Sequence, residues 1–416
     1  MSNKFKIIVV LLFAIFIYFL LCLFINKHIF GISNFPYYTD LVKSLLNGKL
    51  NVISPNHFEQ SFFNGKWYLY WGPAPVLFIL PFFLIFGSAT SDILYTLAAG
   101  VLNIILFYFL TEEFVKHFKL RVALFDKFLV ILSFAFASPN LSLSVVGQIW
   151  PTSQVISILY LIIFYLFYFK FLNNPKNIKY LLVGVLFLNL AWFSRLTLII
   201  NFISLIYLFV LVFNKYREKF KLVIFSTVAI STVFVTLFMG YNYLRFGNPL
   251  DSGLRYVRGN PRYEYAEKNK IFSLSYVSHN INYYFLNHAS FLLPADGNKF
   301  PIVILNLEGN SAISVYPLLI FALLLFQGKY LRDKKINKFL LAALAICGVS
   351  IIMLMLYFST GATQFGSRFF FDIIPLIFLL TLFVLKDIPK VFKYIVLFYG
   401  FIINFLGTII FYSLFR

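Results

Sequence analysis

Apolar residues in this chain run in blocks of roughly 16 to 23 positions, the length of hydrocarbon-spanning helices rather than of strands. The first runs from Ile7 to about Ile25. Others lie near 71–87, 91–111, 128–143, 151–170, 179–193, 197–213, 222–244, 312–327, 338–357, 370–385 and 393–413, which makes twelve. None shows the strict alternation of an outer-membrane barrel, so helices do the spanning. The pattern predicts an all-α polytopic membrane protein of about 11–12 transmembrane helices, with residues 1–416 forming one integral membrane domain.

Composition narrows this further. Of 416 residues, 61% are hydrophobic and 12% charged, values that disfavour soluble domains, coiled coil and disorder. The two cysteines, Cys22 and Cys347, sit inside apolar blocks and offer no disulfide framework. A net charge of +20 would suit nucleic acid. Lys and Arg nevertheless gather between the apolar blocks, where topology and anionic membrane lipid account for them, so no nucleic-acid partner is expected.

Lys4 and Lys6 precede the first block and no small-residue cleavage site follows it, which predicts a retained first helix with its N-terminus in the cytoplasm. Basic loops follow at 116–127, 170–179, 215–221, 329–338 and 386–393. They alternate with the blocks from 128 onward but not between 71 and 127. Something there is broken, tilted or re-entrant, and Pro73, Pro75 and Pro81 make the 71–87 block the place to expect it. Two long polar segments, about 27–70 and 245–311, then fall on the outer face. The first holds an amphipathic stretch, Tyr37 to Leu46, with Leu41, Leu45 and Leu46 at helical spacing, suited to a helix lying in the interface. The apolar residues from Ile271 to Leu293 make a second interfacial region.

Fifteen acidic residues allow a full survey. Glu112, Glu113, Asp126, Glu218, Asp333 and Asp387 lie beside Lys or Arg in the basic loops and, with Asp92, read as solvated charges. The outer set is Asp40, Glu59, Asp251, Glu264, Glu267, Asp296 and Glu308, with Asp372 at the start of a span. A carboxylate near apolar side chains at an interface gains proton affinity, as a general base acting on a hydroxyl requires. Asp40 meets that description, or else lies on the water side of its helix. Glu59 precedes Asn64-Gly65-Lys66, a turn signal, and the aromatic residues Trp67, Tyr68, Tyr70 and Trp71, so it faces a cleft between loop and membrane. Among the basic residues, Arg195, Arg245 and Arg368 interrupt or end apolar stretches. A guanidinium there either reaches the headgroups or pairs with a lipid phosphate, whose oxygens match its donors. The five histidines share no ligand spacing, so no metal site is assigned, although a divalent ion held by outer carboxylates stays open. Neither a glycine-rich phosphate loop nor a Gly-X-Ser-X-Gly motif occurs.

Several segments carry a resemblance in their order along the chain. These are Tyr37-Tyr38 followed by Leu45-Leu46-Asn47-Gly48-Lys49-Leu50, then Asn64 through Pro75, then Arg195, then Tyr241 through Pro249, and Gln364-Phe365-Gly366-Ser367-Arg368 through Asp372 to Pro375. Together they resemble the bacterial polytopic glycosyltransferases of the GT-C fold, the group of family 39 protein mannosyltransferases, aminoarabinose transferases and RgtA/B/C/D-like enzymes. The resemblance implies a GT-C-like helical bundle with interfacial helices in two outer loops. It also implies transfer of a sugar from a polyprenyl-phosphate donor to a glycan, lipid or protein acceptor at the outer face, with an acid in the first outer loop as base. Asn34 stands at that acidic position, which leaves Asp40 and Glu59 as the catalytic candidates. Lys66, Tyr68, Arg195, Arg245 and Arg368 become the candidates for holding the lipid phosphate. Three other readings fit the same residues: a flippase for lipid-linked saccharides, a surface-polysaccharide polymerase or ligase, and an inactive assembly factor.

Overall fold

The computed structural model describes residues 3–414 except 264, 266–269, 289, 293–301, 305–308, 334–335 and 362–363. Seven of its helices are long and apolar enough to cross a membrane: Phe5–Asn26, Asp92–Phe118, Ile149–Asn173, Leu196–Lys215, Arg217–Phe246, Asn337–Leu356 and Lys390–Ser413. The chain is a multi-pass membrane protein.

Of the other five apolar blocks, four are interrupted at identifiable places and one is a short unbroken helix. Block 71–87 becomes α-helical only at Pro75 and ends at Phe86, with Pro81 inside it. At 1.5 Å per residue these 12 residues rise about 18 Å, well short of a hydrocarbon layer of about 30 Å. Block 128–143 divides into Leu124–Phe136 and Pro139–Ser144, because Ser138 turns extended and caps the second helix, its side chain accepting from Asn140 N–H at 3.1 Å. Block 179–193 is a helix of 17 residues, Ile178–Ser194. Blocks 312–327 and 370–385 are series of short helices, Ala312–Val315 and Leu319–Ala322 in one, Ile374–Thr381 in the other.

The chain divides into two compact units. One comprises residues 1–27, 103–145 and 272–416. Here helices α1 (Asn3–Asn26), α5 (Leu124–Phe136) and the terminal helix Lys390–Leu414 associate, with polar side chains sealing the contacts. Tyr18 donates to the Ala135 carbonyl at 2.5 Å and accepts from Asn140 at 2.9 Å, and Asn404 donates to the Val315 carbonyl at 2.9 Å. Asp126 is not a solvated charge. It forms a 2.6 Å ion pair with Lys393, both side chains less than a tenth exposed, because the two helices bring the charges together inside the fold.

The second unit comprises 28–102 and 146–271. It is built on α7 (Ile149–Asn173) and α8 (Ile178–Ser194), which pack side by side, and on α10 (Arg217–Phe246). Buried hydroxyls again join helices, as in the 2.6 Å contact of Thr96 with Thr152 and the 2.7 Å bond from Tyr165 to Asn201. The Asn64-Gly65 signal closes a β-hairpin: β1 (Gln60–Phe63) pairs antiparallel with β2 (Lys66–Tyr68), Phe63 opposite Lys66. Positive φ at both turn residues, 47° and 74°, gives the left-handed two-residue turn that suits strand twist. A third strand, β3 (Val257–Arg258), adds to β1, so the first polar segment is joined to the second by a ladder.

Candidate functional site

The site is organised by α2, the helix Tyr37–Leu46, whose limits coincide with the amphipathic stretch. Its buried face is Tyr37, Tyr38, Leu41 and Val42, whereas Leu46 is exposed, so the burial stripe is rotated from the leucine spacing. Three hydroxyls moor it. Tyr37 donates to the Phe58 carbonyl at 2.9 Å, Tyr38 donates to the Gly72 carbonyl at 3.2 Å, and Thr39 meets Tyr95 at 3.2 Å. Gly72 is required where it stands, since a Cβ there would run into the backbone of Phe193 and Ser194.

Asp40 lies in the first turn of α2 and is partly buried, with its Oδ2 buried and taking no hydrogen bond. Burial lifts its carboxyl above the ordinary value, opposed by the Ser54 hydroxyl and the Lys43 ammonium, with the Asp92 charge adding to the lift. The Ser54 hydroxyl is itself buried and closes no well-formed hydrogen bond. The Tyr37 phenol is pushed up chiefly by burial and further by the charges of Glu59 and Asp40, so both carboxylates lie within electrostatic reach of it.

Glu59 is built differently. It is 8% exposed and sits at φ 56°, a conformation that a non-glycine residue holds only when its surroundings impose it. Oε2 accepts from the Trp150 indole at 2.6 Å, Oε1 accepts from the Asn260 amide, and the backbone N–H donates to the Arg258 carbonyl at 3.0 Å. One carboxylate thus ties the first polar segment to the start of α7 and to the second polar segment. Phe35, Phe58 and Trp71 surround Trp150, with ring centroids 5.0 to 6.5 Å away.

The basic residues come from other elements of the same unit. Arg195 caps α8 and is partly buried, near enough to the Tyr38 hydroxyl to favour its ionised form against the larger effect of burial. Arg245, 4% exposed, donates to the Tyr241 carbonyl at 3.2 Å, to Asn242 Oδ1 at 2.8 Å and to the Leu69 carbonyl. Its guanidinium lies 3.8 Å from the Tyr241 ring centroid. Arg245 does not snorkel: it braces the end of α10 against the chain leading into 70–74. Tyr68 is buried nearby and packs against Phe246 at 5.4 Å. Arg245, Tyr241, Trp71 and Trp192 line a narrow cleft of about 20 Å³, in which the Tyr241 hydroxyl is buried without a partner among the described residues.

Asp40, Glu59, Tyr68, Arg195 and Arg245 therefore share one unit. Lys66 belongs to it too, but is exposed at the hairpin. Arg368 belongs to the other unit, where it donates to the Gly361 carbonyl at 3.1 Å. Asp251 pairs with Arg255 at 2.6 Å. Glu264, Glu267, Asp296 and Glu308 lie outside the described residues. Among the described residues no three His, Cys, Asp or Glu side chains gather to hold a metal ion.

Sequence reasoning misplaced Asp92. It is 1% exposed and accepts from Ser33 N–H at 2.9 Å, from the Ser33 hydroxyl and from Gln148 N–H at 2.8 Å, fastening the first polar segment to the residues before α7. Its position at a helix start was visible, but its partners are 59 and 56 positions away. Trp150, beside the block 151–170, was missed because an aromatic residue next to an apolar block carries no signal of a polar contact.

No protein-family model matches the chain, and no curated protein matches it in sequence. Solved structures do match. ArnT from Cupriavidus metallidurans, bound to undecaprenyl phosphate, superposes with a TM-score of 0.54 at 10% identity, covering 93% of this chain and 61% of its own. The archaeal oligosaccharyltransferase AglB from Archaeoglobus fulgidus, in complex with an inhibitory peptide and a dolichol-phosphate, gives 0.55 at 14% identity, covering 99% and 56%. The Archaeoglobus fulgidus oligosaccharyltransferase in complex with Zn and sulfate gives 0.53 at 16%, covering 97% and 52%. The chain spans between half and two-thirds of the length of these proteins, and its fold is theirs, the GT-C fold that the ordered segments resemble.

Proposed function

We propose that the protein transfers a sugar from a polyprenyl-phosphate donor to a hydroxyl-bearing acceptor at the outer face of the cytoplasmic membrane. One observation carries this reading: in a chain with the GT-C fold, Asp40 is a partly buried carboxyl of raised proton affinity on a short helix of the first polar segment, in the same compact unit as Arg195. The base stands on α2 and the cation at the end of α8, within one compact unit. The ArnT and AglB structures, bound to undecaprenyl phosphate and dolichol-phosphate, support the donor class.

In this reading Asp40 accepts the proton of the acceptor hydroxyl as its oxygen bonds to the anomeric carbon. The bond from that carbon to the phosphate oxygen breaks, and polyprenyl phosphate leaves with the electron pair. Arg195 faces the charge that develops on the leaving group. Arg245 and Tyr241 provide the fixed polar wall of the cleft, where preorganised donors cost no reorganisation as charge moves. Glu59 is a positioning residue, since both its oxygens already take donors. The Zn-bound relative raises the question of a metal, but the described carboxylates are spread over Ser33, Trp150 and Asn260 contacts and do not form a ligand set. No step is assigned to one. The N-terminus lies in the cytoplasm.

The test is release of polyprenyl phosphate from a panel of polyprenyl-phosphate sugars by the purified chain, without nucleotide sugar. Turnover is expected from the wild type, and Arg195→Ala is expected to lower it by about 10² to 10³, as loss of one preorganised donor does. A wild-type protein inactive on the whole panel, or Arg195→Ala at full turnover, overturns the assignment.

A further inference from the structure

The unit that holds α1 contains an apolar groove unrelated to the carboxylates. It encloses about 570 Å³ and is walled by Val9, Val10 and Phe13 of α1, Phe136 of α5, and Leu397 and Phe398 of the terminal helix. Phe136 forms its floor, edge-to-face with Phe13 at 6.4 Å and Phe401 at 5.5 Å. Phe398 is 68% exposed, so the groove is open along its length.

Its dimensions and its charge setting select an occupant. Along the terminal helix it extends from Tyr394 to Phe401, about 10 Å at 1.5 Å per residue, too short to seat a second spanning helix of about 30 Å. On α1 and the terminal helix it lies toward the N-terminal end, and on α5 it meets the last residues, Leu132 and Phe136. Lys6 precedes Val9 and Val10 by three and four positions, and Lys390 precedes Tyr394 by four, so each lysine lies one turn below the wall on the same helix face. Both lysines are exposed, whereas Lys393 is consumed by Asp126. A tail in the groove would therefore place its headgroup beside two free ammonium groups, at the basic end where anionic lipid is attracted.

We propose that this groove is a binding site for a bilayer phospholipid with an anionic headgroup, its acyl chain against Phe136 and Phe398 and its phosphate beside Lys6 and Lys390. The inference does not depend on the sugar-transfer reading.

The full chain would be reconstituted in nanodiscs of equal phosphatidylglycerol and phosphatidylcholine with a trace of polyprenyl phosphate. Retained lipid is then read by native mass spectrometry after extraction. One phosphatidylglycerol per chain is expected. Lys6→Gln with Lys390→Gln lowers its retention about thirtyfold, from about 1 kcal/mol of surface attraction per lysine. Val9→Trp, at an exposed position that fills the groove, abolishes retention with both lysines intact. Equal retention of the two phospholipids, preferential retention of polyprenyl phosphate, or unchanged retention in either variant overturns the proposal.

Discussion

Replacing Asp40 by asparagine separates catalysis from folding. The change keeps the size of the side chain and removes its capacity to take a proton. A positioned general base contributes about 10² to 10⁴ in rate, so turnover falls by that factor, or about 3 to 5 kcal/mol in activation free energy. Stability moves the other way. Because the folded carboxyl has a raised proton affinity, its contribution to stability is fully present below the unfolded pKa of about 3.9 and is lost as pH rises through the folded value. At neutral pH the native state thus carries an unfavourable ionised Asp40, and the neutral asparagine leaves the thermal midpoint unchanged or higher. The assay pairs polyprenyl phosphate release with a thermal midpoint on the same preparation, both measured from pH 4 to 8. The acidic limb of kcat/KM in the wild type is expected above the ordinary aspartate pKa and disappears in the variant. Turnover above about a tenth of wild type, or a thermal midpoint that falls in parallel with activity, refutes the assignment of Asp40 as base.

Other substitutions test the framework around it. Glu59→Gln turns an NH₂ toward one of two donors, the Trp150 indole or the Asn260 amide, and is expected to cost about 1 to 3 kcal/mol, read as a lower thermal midpoint with a smaller loss of turnover than Asp40→Asn. Asp126→Asn leaves the Lys393 charge buried without its carboxylate, a loss of about 3 to 5 kcal/mol, whereas Asp126→Leu with Lys393→Met restores the midpoint; failure of that double replacement would show a role beyond the ion pair. Gly72→Ala drives a methyl group into the Phe193 and Ser194 backbone and is expected to cost about 1 to 3 kcal/mol, visible as a reduced monodisperse yield. His57→Cys is expected to react with an impermeant thiol reagent in intact cells and Leu120→Cys only after permeabilisation, and the reverse pattern would invert the topology.

The apolar blocks, the basic loops between them, the interfacial helix Tyr37–Leu46 and the Asn64-Gly65 turn were all legible in the sequence, because each depends on residues within a few positions of one another. Span length, helical amphipathicity and turn preference are local properties of the chain. The ordered segments from Tyr37 to Pro375 carried the GT-C resemblance for a related reason, since they are short strings read in order. What these strings could not express is continuity. The 128–143 block is apolar on average, yet an extended Ser138 ahead of Pro139 divides it into two helices, and the prolines of 71–87 leave a helix of only 12 residues.

The partners of the charged groups were decided only by tertiary structure. Asp92 and Asp126 look alike in sequence, as acids at the starts of apolar blocks, and Glu59 lies in a polar segment; the fold gives them, in that order, a loop clasp, a buried ion pair and a brace between two polar segments. Asp40 has an equally ordinary setting, and the burial of its Oδ2 without a well-formed hydrogen bond is visible only in the folded chain. A carboxylate's proton affinity depends on which dipoles and charges stand near it, and for Asp40 those neighbours come from as far along the chain as Ser54 and Asp92. Sequence spacing determines which segments enter the membrane, while long-range packing determines whether an acid at their ends is bound, paired or left able to act.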